Sequence, residues 1–162
     1  MKLLLEEKMI KFILNILIKA MKVGLKYDEN IKNDFSTLPN GYVVKINILP
    51  KNIAVSFKFE NNKITKIKNV ENLKYNLLVE FKDEKSAKKV LFGKMSLATA
   101  FCEHRIKVYG NLNNAIALTR IINLIECYLF PKFIYAKLFS PIPEMKVHKL
   151  KFYFMLLFGG NL

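Results

Sequence analysis

Residues 75–131 read YNLLVEFKDEKSAKKVLFGKMSLATAFCEHRIKVYGNLNNAIALTRIINLIECYLFP, and this stretch decides the fold. Tyr75, Leu77, Val79 and Phe81 alternate with Asn76, Glu80 and Lys82, a period of two that gives a strand one apolar face. Asp83 stands where a helix N-cap belongs, ahead of Ala87, Val90 and Leu91 facing inward, and Gly93 stands where that helix must end. Ser96 caps a second short helix with Leu97, Ala98, Ala100 and Phe101 on its buried side. Ile106 and Val108 then alternate with Arg105, Lys107 and Tyr109 in a strand closing at Gly110. Asn111 or Asn113 opens a long helix bearing Ala115, Leu118, Ile121, Ile122, Ile125, Tyr128 and Leu129, which Pro131 ends or kinks. Elements in this order enclose an apolar chamber with almost nothing polar and reactive inside it.

Upstream, Tyr42, Val44, Ile46 and Ile48 alternate with Val43, Lys45 and Asn47. After Pro50, Lys51 and Asn52 the alternation resumes as Ile53, Val55, Phe57 and Phe59, which makes a hairpin. Asn61 and Asn62 suit a tight turn into a weaker third strand through Ile64 and Ile67, whose spacing of three suggests a bulge. Each strong strand has a single apolar face, so the fold class is α/β of the α+β kind. It is a five-stranded, mostly antiparallel sheet with helices on one face and water on the other.

The chain is read as one domain over 1–162, with a core at 40–131, an N-terminal helical extension at 1–39 and a C-terminal segment at 132–162. In the extension Lys8, Lys11, Asn15, Lys19 and Lys22 mark a narrow wet stripe on a helix from Leu3 to Val23. Its remaining face, with Leu5, Met9, Phe12, Ile13, Ile16, Leu17 and Ala20, is wide enough to need the sheet and a second partner. Another helix, another subunit or an apolar ligand would serve. Asp28 to Ser36 leave room for one short helix before Pro39-Asn40-Gly41, and Lys149–Phe158 fits either strand or helix.

A chain of 162 residues, 52% hydrophobic with 13 Phe and 7 Tyr, has ample apolar side chain for a core without disulfides or metal. Its net charge of +14 raises the question of nucleic acid. Arg105 and Arg120 are the only arginines, however, and the lysines are scattered, so nucleic-acid binding is not expected. Diffuse positive charge suits peripheral contact with an anionic membrane instead. Cys102 and Cys127 form no CxxC unit and read as small core residues of a reducing compartment. The apolar runs Phe12–Ile18 and Phe152–Phe158 fall far short of the ~20 residues that cross a bilayer. Glu6 and Glu7 do not suit a secretory leader, so a cytoplasmic location is expected.

Reactive constellations are lacking. His104, between Glu103 and Arg105 in a turn before a strand, has no serine or cysteine nucleophile at a recognisable spacing. Gly93-Lys94-Met95-Ser96 lacks the upstream glycine of a phosphate loop, and the acids pair only with sequence neighbours, as in Glu6-Glu7, Asp28-Glu29 and Asp83-Glu84. No metal, cofactor or catalysis is expected. What remains is the interior, where Met95, Ala98, Ala100, Ala115 and Ala117 are interleaved with larger apolar residues. Small side chains under long helices can leave space for a lipid-like ligand, and they also occur in any filled core.

Leu91-Phe92-Gly93-Lys94, Ala98 to Phe101, Ile106-Lys107-Val108-Tyr109-Gly110-Asn111, then Ala115 and Leu118 give an ordered set that resembles the sterol-carrier-protein type two family over about residues 40–130. The resemblance implies a five-stranded sheet and helices around a hydrophobic tunnel. It also implies non-catalytic binding or transfer of sterols, fatty acyl chains or phospholipids. Glu103-His104-Arg105 replaces the small turn usual there, and Gly159-Gly160-Asn161-Leu162 is no peroxisomal address. The resulting expectation is a hydrophobic ligand held in a cavity walled by Phe57, Phe59, Met95, Phe101, Leu118, Ile121, Ile122 and Ile125. The alternative is an interaction or accessory module with a solid core, which forms a homodimer through its first helix and Phe152–Phe158.

Overall fold

The computed structural model describes residues 2–69 and 73–159, so the last three residues of the C-terminal Gly-Gly-Asn-Leu lie outside the described residues. Helices α1 (Lys2–Tyr27) and α2 (Glu29–Ser36) precede strands β1 (Tyr42–Ile48), β2 (Ile53–Glu60), β3 (Lys63–Ile67) and β4 (Leu77–Phe81). Then come α3 (Glu84–Leu91), α4 (Leu97–Cys102), β5 (Ile106–Gly110), α5 (Leu112–Leu129), α6 (Lys132–Leu138) and α7 (Lys149–Phe158). The sheet order is β3-β2-β1-β4-β5, with β1 and β4 parallel and the other pairs antiparallel.

Alternation sets the two faces. Tyr42, Val44, Ile46 and Ile48 of β1 line up with Ile53, Val55, Phe57 and Phe59 of β2 and with Leu77, Val79 and Phe81 of β4, all buried. Lys45, Lys58, Glu60, Lys107 and Tyr109 point the other way and stay half-buried or exposed. The third strand has no bulge. Its register runs unbroken from Glu60↔Lys63 to Ser56↔Ile67, so Ile64 joins the core while Ile67, three residues on, turns to the opposite face.

Caps place the helices. The Asp28 carboxyl accepts from the Asn30 and Ile31 amides, Asp83 from Ser86, Ser96 from Thr99, and Asn111 from Asn113 and Asn114. Gly93 ends α3 at φ +66°, and a Cβ there would come within 2.6 Å of Ile134 and 3.0 Å of Phe130. That close approach brings α6 and the end of α5 against the end of α3.

Other expectations are corrected as well. The fourth strand begins at Leu77, because the Asn76 side chain bonds the Val43 amide and Tyr75 lies outside the ladder, exposed. Ala98 and Phe101 are exposed, since only Leu97 and Ala100 of the short α4 reach the core, and Cys102 at its end is exposed too. The wide face of α1 is divided: Leu17 and Ala20 are buried and Ile13 and Ile16 half-buried, whereas Leu5, Met9 and Phe12 face outward. The second partner of α1 is a set of helices, α2, α5 and α7. The undecided segment Lys149–Phe158 is helical, with Phe152 and Leu156 buried.

Candidate functional site

Space opens where the helices cover β1, β4 and β5. The first cavity, about 310 Å³, is lined by Ile13, Leu14, Ile16 and Leu17 of α1, by Ile46, Val79 and Phe81 of the sheet, and by Val90 and Leu91 of α3, with Ile122, Glu126 and Leu129 of α5 closing it. The second, about 420 Å³, lies between α4, β5 and α5, with Phe101, Ile106, Val108, Ala115 and Leu118 in its wall. Val79 and Leu97 line both, so the two spaces meet across these side chains. Each volume falls in or near the range of small-molecule sites.

The origin of the space is side-chain size. Val79 and Val108 are the short residues on the floor, and Ala98 and Ala115 are the short ones on the helices above. Helices cannot approach a sheet more closely than their largest shared contacts allow, so short side chains between long ones leave a gap. Phe101, 48% exposed, sits at the rim of the second cavity.

One polar side chain interrupts the first cavity. Glu126 is 5% exposed, and its Oε2 atom has no hydrogen-bond partner among the described residues. Burial alone drives its pKa from the ordinary 4.5 up to about 8. Next to it the Cys127 thiol, also buried, is pushed up to about 12 and is chemically inert.

Polar ties hold the walls. Lys51 of the β1–β2 turn lies 3.0 Å from Glu7 of α1 and 2.8 Å from Glu84 of α3, and Lys88 of α3 lies 2.7 Å from Glu6. These pairs fasten the N-terminal part of α1 to α3. At the other end of α1, the buried Asp28 accepts from the Tyr128 hydroxyl at 2.5 Å and from the Lys146 amide at 3.1 Å, while Tyr128 accepts from the Val147 amide at 3.0 Å. Tyr128 also stacks on Phe152 at 4.0 Å, and the Lys149 ammonium donates to the Cys127 and Phe130 carbonyls at the end of α5. The C-terminal segment is thereby locked to α5.

Of the residues read as cavity wall, Ile122 lines the first space, and Phe101 and Leu118 line the second. Phe57, Phe59, Ile121 and Ile125 lie in the filled core, with Phe59 stacked on Phe35, and Met95 packs half-buried at its edge. Glu126 escaped the sequence reading. Its position, four residues after Ile122 and three before Leu129, is on the inward stripe of α5, and that helical spacing was the available signal.

Among the described residues no group of acidic, histidine and cysteine side chains could hold a metal, and no helix is long and apolar enough to cross a membrane. No protein-family model and no curated protein matches the chain in sequence. Among solved structures it is similar to the UbiJ-SCP2 ubiquinone synthesis protein, with a TM-score of 0.50 and 13% identity over 67% of this chain and 92% of that one. Apo sterol carrier protein 2 from Yarrowia lipolytica matches with a TM-score of 0.44 and 15% identity, over 65% of this chain and 86% of that one. For palmitated SCP2L2 from Aedes aegypti the values are 0.43 and 14%, over 66% and 91%. The chain has the sterol-carrier-protein fold, an α+β fold with an added N-terminal helix.

Proposed function

We propose that this protein binds an apolar molecule between its sheet and helices and carries it without chemical change. The observation that carries this reading is the pair of adjoining, almost wholly apolar cavities between the helices and strands β1, β4 and β5. The sterol-carrier fold supports it. Ile122, Leu97 and Val79 form the inner wall and Leu118 and Phe101 the outer one, while Phe57, Phe59, Met95, Ile121 and Ile125 hold the frame that keeps the space open. Ligands on this reading are a fatty acyl chain, a phospholipid tail or a sterol-like body.

Native mass spectrometry of gently purified protein, followed by titration of the delipidated chain with the neutral fluorophore N-phenyl-1-naphthylamine, tests the reading. Retained apolar mass and saturable one-to-one uptake are expected. A protein that retains nothing and takes up no probe is not a carrier.

One observation favours an addition to this reading. Leu5, Met9 and Phe12 on α1 and Leu150, Phe154, Leu157 and Phe158 on α7 are exposed, beside the exposed Lys8, Lys11 and Lys151, and the two helices pack on each other. Apolar side chains bordered by lysines suit exchange of cargo at an anionic membrane surface. Flotation with phosphatidylserine vesicles, weakened by salt and lost with neutral vesicles, is the expected result. A salt-independent homodimer by light scattering, without vesicle binding, would replace it with a subunit interface.

A further inference from the structure

We infer that Glu126 is the polar anchor of the first cavity and that it selects a neutral amphiphile with a single hydroxyl head. The inference rests on the carrier reading above and specifies the cargo. A carboxyl that is 5% exposed, with one oxygen lacking any partner among the described residues, lies in a wall otherwise made of Ile, Leu, Val and Phe side chains. Such an oxygen forgoes the water it would bond in the unfolded chain and receives nothing in exchange from the protein. A leucine of similar bulk would fill the same place without that loss. The group is therefore complete only when a guest supplies the missing bond.

The chemistry of the group narrows the guest. Its raised pKa keeps the carboxyl protonated at neutral pH, so it presents one O–H donor and one carbonyl acceptor side by side. An alcohol offers the matching acceptor and donor on one oxygen. Neither a fatty carboxylate nor a phosphate does so without bringing a negative charge into a space that otherwise holds none. The lining holds no cation or other titratable group to balance one. Nearby, the Lys149 ammonium is committed to the Cys127 and Phe130 carbonyls, and the Cys127 thiol is neutral. A hydrocarbon leaves the carboxyl unmet. With its head at Glu126, the guest's tail has the remaining apolar wall as far as Val79 and Leu97 to fill.

The test uses the full-length delipidated protein at pH 7, loaded with N-phenyl-1-naphthylamine and challenged with 1-decanol, decyl methyl ether or decanoate. Decanol should displace the probe at roughly tenfold lower concentration than either competitor, the effect of two neutral hydrogen bonds. Glu126→Leu should still take up the probe but lose the decanol preference to within about twofold, and Glu126→Gln, which keeps a donor and an acceptor, should retain it. Equal displacement by the three competitors, or a decanol preference that survives Glu126→Leu, overturns the anchor and leaves the carrier reading standing. Failure of all three proteins to take up the probe overturns the carrier reading itself.

Discussion

Over β2 the interior is closed, and over β4 and β5 it is not, although the same pattern of alternation built both regions. On the closed side the inward residues are Ile53, Val55, Phe57 and Phe59, and Phe35 from α2 stacks on Phe59 with ring centroids 5.2 Å apart. Beside them α1, α2 and α5 approach so closely that a Cβ on Gly24 would fall 2.5 Å from Ile31 and 3.0 Å from Ile125. On the open side Val79, Ile106 and Val108 face Leu97, Ala98 and Ala115 across the second cavity. Polarity tells a side chain which face to take. Volume, summed across facing positions, decides whether the faces meet.

Truncation on the closed side should have the largest effect. Phe57→Ala is expected to cost about 3–5 kcal/mol in urea denaturation, because a fully buried ring leaves a void its neighbours cannot fill. Phe101→Ala, at the half-exposed rim of the second cavity, should cost less than about 1 kcal/mol. Equal losses would mean that the two halves are packed alike.

The buried acid makes the open side sensitive to pH. Unfolding returns Glu126 from a pKa of about 8 to its ordinary 4.5, so between these values the unfolded chain gives up the proton and the folded one keeps it. The contribution of Glu126 to stability is thus fully present below pH 4.5, declines as pH rises, and is lost once pH passes about 8. From pH 5 to 7 the decline should reach about 2–3 kcal/mol at 1.36 kcal/mol per unit, read as the difference between wild type and Glu126→Gln in chemical denaturation. A difference that does not vary with pH would place that carboxyl in water.

Much of this architecture is legible in the chain. Asp83, Gly93, Ser96, Asn111 and Pro131 mark helix ends by local chemistry, and alternation assigns each strand its inner face. What is illegible depends on distant partners. Nothing in Tyr42–Ile48 or Leu77–Phe81 says that these strands pair in parallel, since either direction would bury the same side chains. The exposure of Ala98 and Phe101 follows from how α4 is turned, with only Leu97 and Ala100 toward the core, which its own six residues do not encode. Helix α6 is hidden by Pro131, which ends α5 and also precedes the first turn of α6, because proline suits a helix start as well as a stop. Glu126 has the spacing of the inward stripe of α5, but a single acid forms no motif that marks it as a site.

Locking the C-terminal segment belongs to neither half, so its removal gives an intermediate loss that leaves the contrast intact. Tyr128→Phe takes one hydrogen bond from the buried Asp28 and leaves the Val147 amide without its acceptor, while the stack on Phe152 persists. A loss of about 2 kcal/mol in thermal or urea unfolding is expected, with uptake of the neutral fluorophore unchanged at temperatures where the protein is folded. Reduced uptake in proportion to the stability loss would show that the segment shapes the cavities as well.

The smallest effect on stability is the most direct comparison of the two halves. Val79 and Val55 are inward valines on neighbouring parts of one sheet, 4% exposed in each case. Val55→Phe forces a ring into a closed region, where overpacking typically costs about 1–3 kcal/mol. Val79→Phe places the same ring where both cavities meet, so the added atoms should find contacts instead of clashes. Its cost should stay below about 1 kcal/mol, and probe uptake should fall at least about tenfold because the guest and the new ring compete for one volume. A Val79→Phe protein as destabilised as Val55→Phe would mean that the space over β4 and β5 is already full in solution.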